Sequence, residues 1–290
     1  MPSLKAIRRR IVSVKNTQKI TKAMKAVAAA RLRKAQEAII ALRPYAQKLD
    51  QVIAEVAARR PTDEEVHPLL AVRDEKRVEV VVLTSDRGLA GGFNANINRA
   101  ADRFLLEHKN QMEEIVLSIV GRKGREYFKR RSRPVKHEYM GVFTEVSVER
   151  AREISTAVVH DYNAENLDAV YLVYNEFKSA MSQRVVVETL LPVQPAKLPE
   201  SAGQVDYKFE PSRRELLDHL LPLNVETQIF RAILESIASE FGARMTAMDN
   251  ATNNAIDMIG RLTLQFNRAR QAAITKELME IVGGAEALKG

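Results

Sequence analysis

An α/β central domain plus a long antiparallel two-helix coiled coil, formed by the N- and C-terminal helices, is the fold that this sequence predicts. Three observations carry that reading. Apolar residues recur at alternating three- and four-residue spacing through both ends of the chain, strand-like and helical runs alternate through the middle, and the first 58 residues contain no glycine. Residues 1–60 and 212–290 are therefore read as the two coiled-coil helices, and residues 61–211 as a Rossmann-like α/β domain.

The N-terminal seam runs from Leu4, Ile7, Ile11 and Val14 to Ala28, Leu32, Ala35, Ile39, Leu42, Ala46, Leu49, Ile53 and Val56, and thirteen of its sixteen positions are apolar. The three lapses are consecutive: Gln18, Thr21 and Lys25. Polar seam residues cost stability and fix register. A local register shift is the alternative, with Ile20, Met24 and Val27 taking over the apolar face. Ser3 is a reasonable N-cap, and Pro44 is expected to bend or loosen the helix by removing one backbone bond.

The C-terminal seam runs from Leu234 to Ala273, with Thr252 the one polar position in twelve. Ser212 and Glu215 fit a capping box. Pro222 is expected to break this lead-in from the main helix, and Gly283-Gly284 to fray its far end. At about 1.5 Å per residue each helix would run roughly 80–90 Å, against roughly 50 Å across for a compact globule of this length. The seams must then be buried against each other or in a partner, and helices at opposite ends of a chain joined by a domain pair antiparallel.

In the middle, strands are expected at Val78–Thr84, Ile115–Val120, Asp168–Tyr174 and Arg184–Leu191, with helices near Asn94–Lys109, Lys123–Arg131 and Val148–Asp161. That alternation argues for a mostly parallel sheet. Residues 192–211, with four prolines and a glycine, read as a loop back to the coil.

Charge is unevenly placed. The formal net charge is +8, yet residues 1–60 alone carry +12 and no acid precedes Glu37. A segment so basic faces something acidic: nucleic acid, an anionic membrane surface or an acidic protein surface. Aromatic residues for stacking on bases are absent until Tyr45, and the seam runs through the basic stretch itself. A coiled-coil nucleic-acid-binding protein nevertheless stands as the alternative function. The chain has no Cys, which excludes disulfides, thiolate metal sites and cysteine nucleophiles. It has no apolar run of about 18 residues that would span a membrane and no secretory signal core.

Catalytic signals are weak. Ser85-Asp86-Arg87-Gly88-Leu89-Ala90-Gly91-Gly92 follows a strand and precedes a helix, where a dinucleotide fold places its phosphate loop, but its spacing fits neither G-x-G-x-x-G nor a P-loop. It reads as a structural turn, with an enzyme built on residues 61–211 as the competing idea. His67, His108, His137, His160 and His219 are scattered without ligand spacing, and no cofactor or metal is expected.

Three stretches carry a family resemblance. Asn16-Thr17-Gln18-Lys19-Ile20-Thr21-Lys22-Ala23-Met24, Thr84-Ser85-Asp86-Arg87-Gly88-Leu89 and Asn267-Arg268-Ala269-Arg270-Gln271-Ala272 are similar, in that order, to signatures of the gamma subunit of F-type ATP synthases. The resemblance implies a non-catalytic rotating shaft, one copy per complex, inside a ring of three alpha and three beta subunits. Its foot would stand on a membrane c-ring beside an epsilon subunit, peripheral to the cytoplasmic face of a bacterial plasma membrane, with no nucleic acid bound. It implies that Met24, flanked by Lys22 and Lys25, meets an acidic lever loop of beta. Arg270, Gln271 and Thr275 would contact the ring nearer its top, Ile281, Val282 and Leu288 would sit in an apical bearing, and Tyr207 and Glu210 would meet the c-ring and epsilon foot.

Overall fold

The computed structural model describes residues 3–59, 65–195, 210 and 212–287. Along the chain run α1 (Leu4–Ala58), a single 3-10 turn (Pro68–Leu70), β1 (Arg77–Leu83), α2 (Phe93–His108), β2 (Glu114–Val120), α3 (Arg122–Lys129), β3 (Val135–Tyr139), α4 (Val148–Asn163), β4 (Ala169–Phe177), β5 (Gln183–Leu191) and α5 (Arg213–Ala287). The chain forms two compact units, Ala29–Arg244 and Met1–Ala28 with Met245–Gly290.

The larger unit is built on a five-stranded sheet of order β3-β2-β1-β4-β5. β1 pairs in parallel with β2 and β4, β2 with β3, and β5 closes one edge antiparallel to β4. β1 reads Arg-Val-Glu-Val-Val-Val-Leu with all but its first residue buried, as expected of a central strand covered on both faces. Its one buried charge, Glu79, accepts from the Ser118 hydroxyl at 2.5 Å and faces Lys136 at 3.3 Å. The four expected strands and three expected helices are all present, within a few residues of their expected ends. β3 is the addition, a five-residue edge strand whose only buried residue is Tyr139.

Ser3 and Ser212 both cap their helices, Ser212 through its hydroxyl alone. The amide of Ala6 donates to the Ser3 hydroxyl at 3.3 Å. The amide of Glu215 donates to the Ser212 hydroxyl at 3.2 Å, and that hydroxyl donates to the Glu215 carboxylate at 2.9 Å. Pro44 lies inside an unbroken α1. Two expectations for α5 are corrected, because the helix continues through Pro222 and through Gly283-Gly284 to Ala287. At Pro222 only one backbone bond is lost, at about 3 kcal/mol, while Leu217, Leu221, Val225 and Ile229 on either side are fully buried. Each such side chain contributes about 1.5–3 kcal/mol, so burial wins.

Polar cross-links show how the end helices run. In the larger unit Arg31 lies over the Phe241 ring, the Asn224 amide donates to Asp50 at 2.7 Å, and Arg213 donates to the Val56 carbonyl at 3.2 Å. As numbers rise along α1 they fall along α5, so the pair is antiparallel. The smaller unit repeats the pattern: Lys25 meets Asp249, Thr21 meets Thr252, and Ile7 faces the stretch from Arg261 to Ala272.

Candidate partner interface on the coil

The polar lapse in the seam is real and keeps its register. Thr21 is buried, whereas Ile20 and Val27, which a register shift would turn inward, are 60% and 58% exposed. The two seam threonines share a hydrogen bond of 2.7 Å, and Thr252 also donates to the Met248 carbonyl at 2.7 Å. One turn further on, the Lys25 ammonium sits 2.6 Å from Asp249 with both side chains nearly half exposed. The lapse is thus a polar lock between the helices, bounded by buried Ala28 and Met248.

Around that lock the outward surface is cationic. Eleven Lys or Arg occupy residues 1–36. Among the described residues only Lys25 and Arg33 of these pair with a carboxylate, and Arg33 does so within its own helix, to Glu37. Lys22 is exposed and Met24 half-buried beside it. Interleaved with the cations are exposed apolar side chains: Val12, Ile20 and Val27 on α1, Leu264 on α5.

The residues named from the resemblance fall in separate places. Arg270, Gln271 and Thr275 are exposed on α5, about 30 Å along that helix from Asp249. The Thr275 hydroxyl turns back to donate to the Gln271 carbonyl at 2.9 Å. Ile281 and Val282 are exposed toward the end of α5, in company with Ile274, Leu278 and Met279. Glu210 is exposed; Tyr207 and Leu288 lie outside the described residues.

The loop after β1 fills itself with its own groups. Asn94 accepts from the Ser85 amide at 2.9 Å, and the Ser85 hydroxyl donates to the Arg87 carbonyl at 2.7 Å. The amide of Arg122, first residue of α3, donates to Asp86 at 3.1 Å. A carboxylate of the chain therefore sits at the N-terminus of α3. Gly121 allows this closeness: its φ is +88°, and a Cβ there would meet the Thr84 carbonyl oxygen at 2.1 Å. Leu89, also at positive φ, projects into solvent.

One feature escaped the sequence reading. Arg244 donates to Glu240 at 2.6 Å and to the Gly88 carbonyl at 3.1 Å, tying α5 to the loop. Both side chains are almost fully buried, and burial pushes the Glu240 carboxyl up even though Arg244 pulls it down. Charged residues four apart are common on solvated helix faces, so the pattern alone carries no sign of burial. Among the described residues, no group of three or more His, Asp or Glu could hold a metal ion, and no helix is long and apolar enough to cross a membrane.

These features define a class: long end helices that pair antiparallel in each unit, a mostly parallel α/β sheet in the larger unit, and cations among exposed apolar side chains on the outer face of the smaller unit's coil. The family model described as ATP synthase matches residues 3–288. The ATP synthase gamma chain of Anaeromyxobacter sp. (strain K) is 56% identical, and that of Geobacter metallireducens 53%, each over the full length of both chains. A chain in the central stalk and c-ring structure of the Tetrahymena thermophila mitochondrial ATP synthase is 28% identical. It superposes with a TM-score of 0.60 over 80% of this chain and 99% of that one. A chain from the Euglena gracilis mitochondrial enzyme shares the fold, with a TM-score of 0.65 at 20% identity over 98% of this chain and 94% of that one. The chain belongs to the ATP synthase gamma chain family. It is a central-stalk subunit of an ATP synthase and not itself the catalytic one. None of these relatives or structures supports the nucleic-acid-binding alternative.

Proposed function

We propose that this chain turns as the central shaft of a proton-translocating ATP synthase, carrying torque between a membrane c-ring and a catalytic alpha/beta ring. The observation that supports it best is the coil of the smaller unit. Its two helices are locked to each other by Thr21–Thr252 and Lys25–Asp249, while its outer face offers unpaired cations among exposed apolar side chains. Such a surface suits a sleeve of mixed acidic and apolar lining.

In this reading the ring holds three alpha and three beta subunits around one copy of the chain, and residues 1–60 and 212–290 serve as the shaft. Lys22, Met24 and Lys25 meet an acidic lever of beta, and Lys25 reaches it while anchored on Asp249. Arg270, Gln271 and Thr275 contact the ring higher up, and Ile281, Val282 and Leu288 run in an apolar bearing. Residues 61–211, with Tyr207 and Glu210, form the foot beside epsilon and the c-ring. In the same reading the chain lies at the cytoplasmic face of the membrane, peripheral and without cofactor of its own. Mixing the purified chain with alpha and beta subunits tests this: a stable complex with turnover that the chain alone lacks supports the assignment, and a chain that never enters the ring refutes it.

A further inference from the structure

We propose that His67 is a proton-sensitive pin, holding the turn at residues 67–71 against α5 only while its imidazole is neutral. The ring is 5% exposed and both nitrogens are engaged. Nδ1 lies 3.1 Å from the Leu69 amide, which can only donate, so Nδ1 accepts and carries no hydrogen. The hydrogen is then on Nε2, 2.9 Å from an Asp218 carboxylate oxygen on α5. One tautomer satisfies both bonds, and it is neutral.

Adding a proton destroys this arrangement. It must go to Nδ1, where it faces the Leu69 N–H, donor against donor. The charged groups bearing on the ring are Asp218, Arg214 and Arg213, all on α5. The single carboxylate is itself shared with Arg214 at 3.7 Å. Burial is the largest influence and outweighs the help from Asp218, so the imidazole titrates below its ordinary value.

The turn that His67 holds is a junction. The Leu69 side chain is fully buried, and its carbonyl accepts from the Val193 amide at 2.8 Å, just past β5. The Ala71 carbonyl accepts from the Tyr162 hydroxyl of α4 at 2.9 Å. Releasing His67 therefore loosens α5, α4 and the end of β5 together. Because the folded form binds the proton less readily than the unfolded chain, the pin's contribution is complete above about pH 6.5 and declines as the pH falls below that value. The regulatory meaning rests on the shaft reading: acidification of the surrounding compartment would make the joint between α5 and the sheet more compliant.

The test uses the full chain and the assembled complex. Long-range proton–nitrogen NMR, with the His67 signals assigned by their loss in His67→Gln, is expected to show an Nε2–H tautomer and a midpoint below about 6.5. Hydrogen exchange at the Leu69 amide, corrected for its intrinsic pH dependence, is expected to rise by up to about tenfold per pH unit as the pH falls from about 6.5 to the midpoint, and to level off below it. It should be indifferent to pH in His67→Gln. A midpoint at or above the ordinary value, or corrected exchange independent of pH in the native chain, overturns the pin, and the native chain alone decides this if the variant does not fold. These readouts need no partner, so they succeed or fail independently of assembly. In an assembled, coupled enzyme, a proton-to-ATP ratio that falls on acidification in the native complex but not in His67→Gln supports the regulatory role; equal behaviour removes it.

Discussion

The Thr21 hydroxyl lies 2.7 Å from that of Thr252, the polar centre of a seam that is otherwise almost wholly apolar. Polar seam contacts set alignment more than they add stability. Thr252→Val should therefore cost about 1 kcal/mol in thermal or denaturant unfolding, since Thr21 can still donate to Gln18. The double variant, valine at both positions, should recover most of that loss yet show mixed helix alignment. Spin-label distances across the coil would report it as a broadened distribution.

Arg244 and Glu240 form the most buried ion pair among the described residues. Removing one partner of such a pair leaves the other charge stranded, at about 3–5 kcal/mol. Arg244→Met should lose that much in chemical denaturation near neutral pH. The stranded Glu240 would hold its proton more tightly folded than unfolded, so the variant should regain stability as the pH is lowered, and Glu240→Gln in the same background should abolish the recovery.

Asp168 behaves oppositely. The Arg77 side chain grips it with bonds of 2.8 and 3.2 Å, and the Arg77 amide adds another at 2.8 Å. These bonds hold the carboxyl below the usual carboxylate range. Its contribution is present above the unfolded value and is lost as the pH falls through the folded one. Asp168→Asn should consequently flatten the acid limb of the stability profile while leaving unfolding near neutral pH cooperative.

Met24 is half-buried on the face that carries Lys22. Met24→Lys adds a flexible cation to an already cationic surface, so melting of the free chain should change by no more than about 0.5 kcal/mol. In the assembled enzyme the extra charge should strengthen the grip of an acidic lever and lower the ratio of protons pumped to ATP hydrolysed. An unchanged ratio would remove Met24 from the interface.

Much of this architecture is legible in the residues. The central strands announce themselves because burial on both faces demands runs such as Val80-Val81-Val82, and the coil does so because its seam repeats for many turns. β3 stays hidden because Lys136, His137 and Glu138 look like a solvated loop until an edge strand is needed beside β2. Pro222 misleads because its cost is local, whereas the burial that overrides it comes from tertiary neighbours. Lys25 is readable as a polar lapse, but its partner Asp249 lies 224 positions away and emerges only once the helices are aligned. The partner contacts proposed for Met24, Arg270 and Ile281 would be made to other chains, and no property of one chain alone displays them.

Rotation itself is the measurement that bears most directly on the shaft. The chain has no Cys, so Glu107→Cys, on the exposed end of α2, offers a single thiol for a bead or fluorophore. In a complex immobilised through its alpha and beta subunits and supplied with ATP, the label should turn in one direction, in three main steps per revolution. A label that stays fixed while the same molecules hydrolyse ATP would contradict the account.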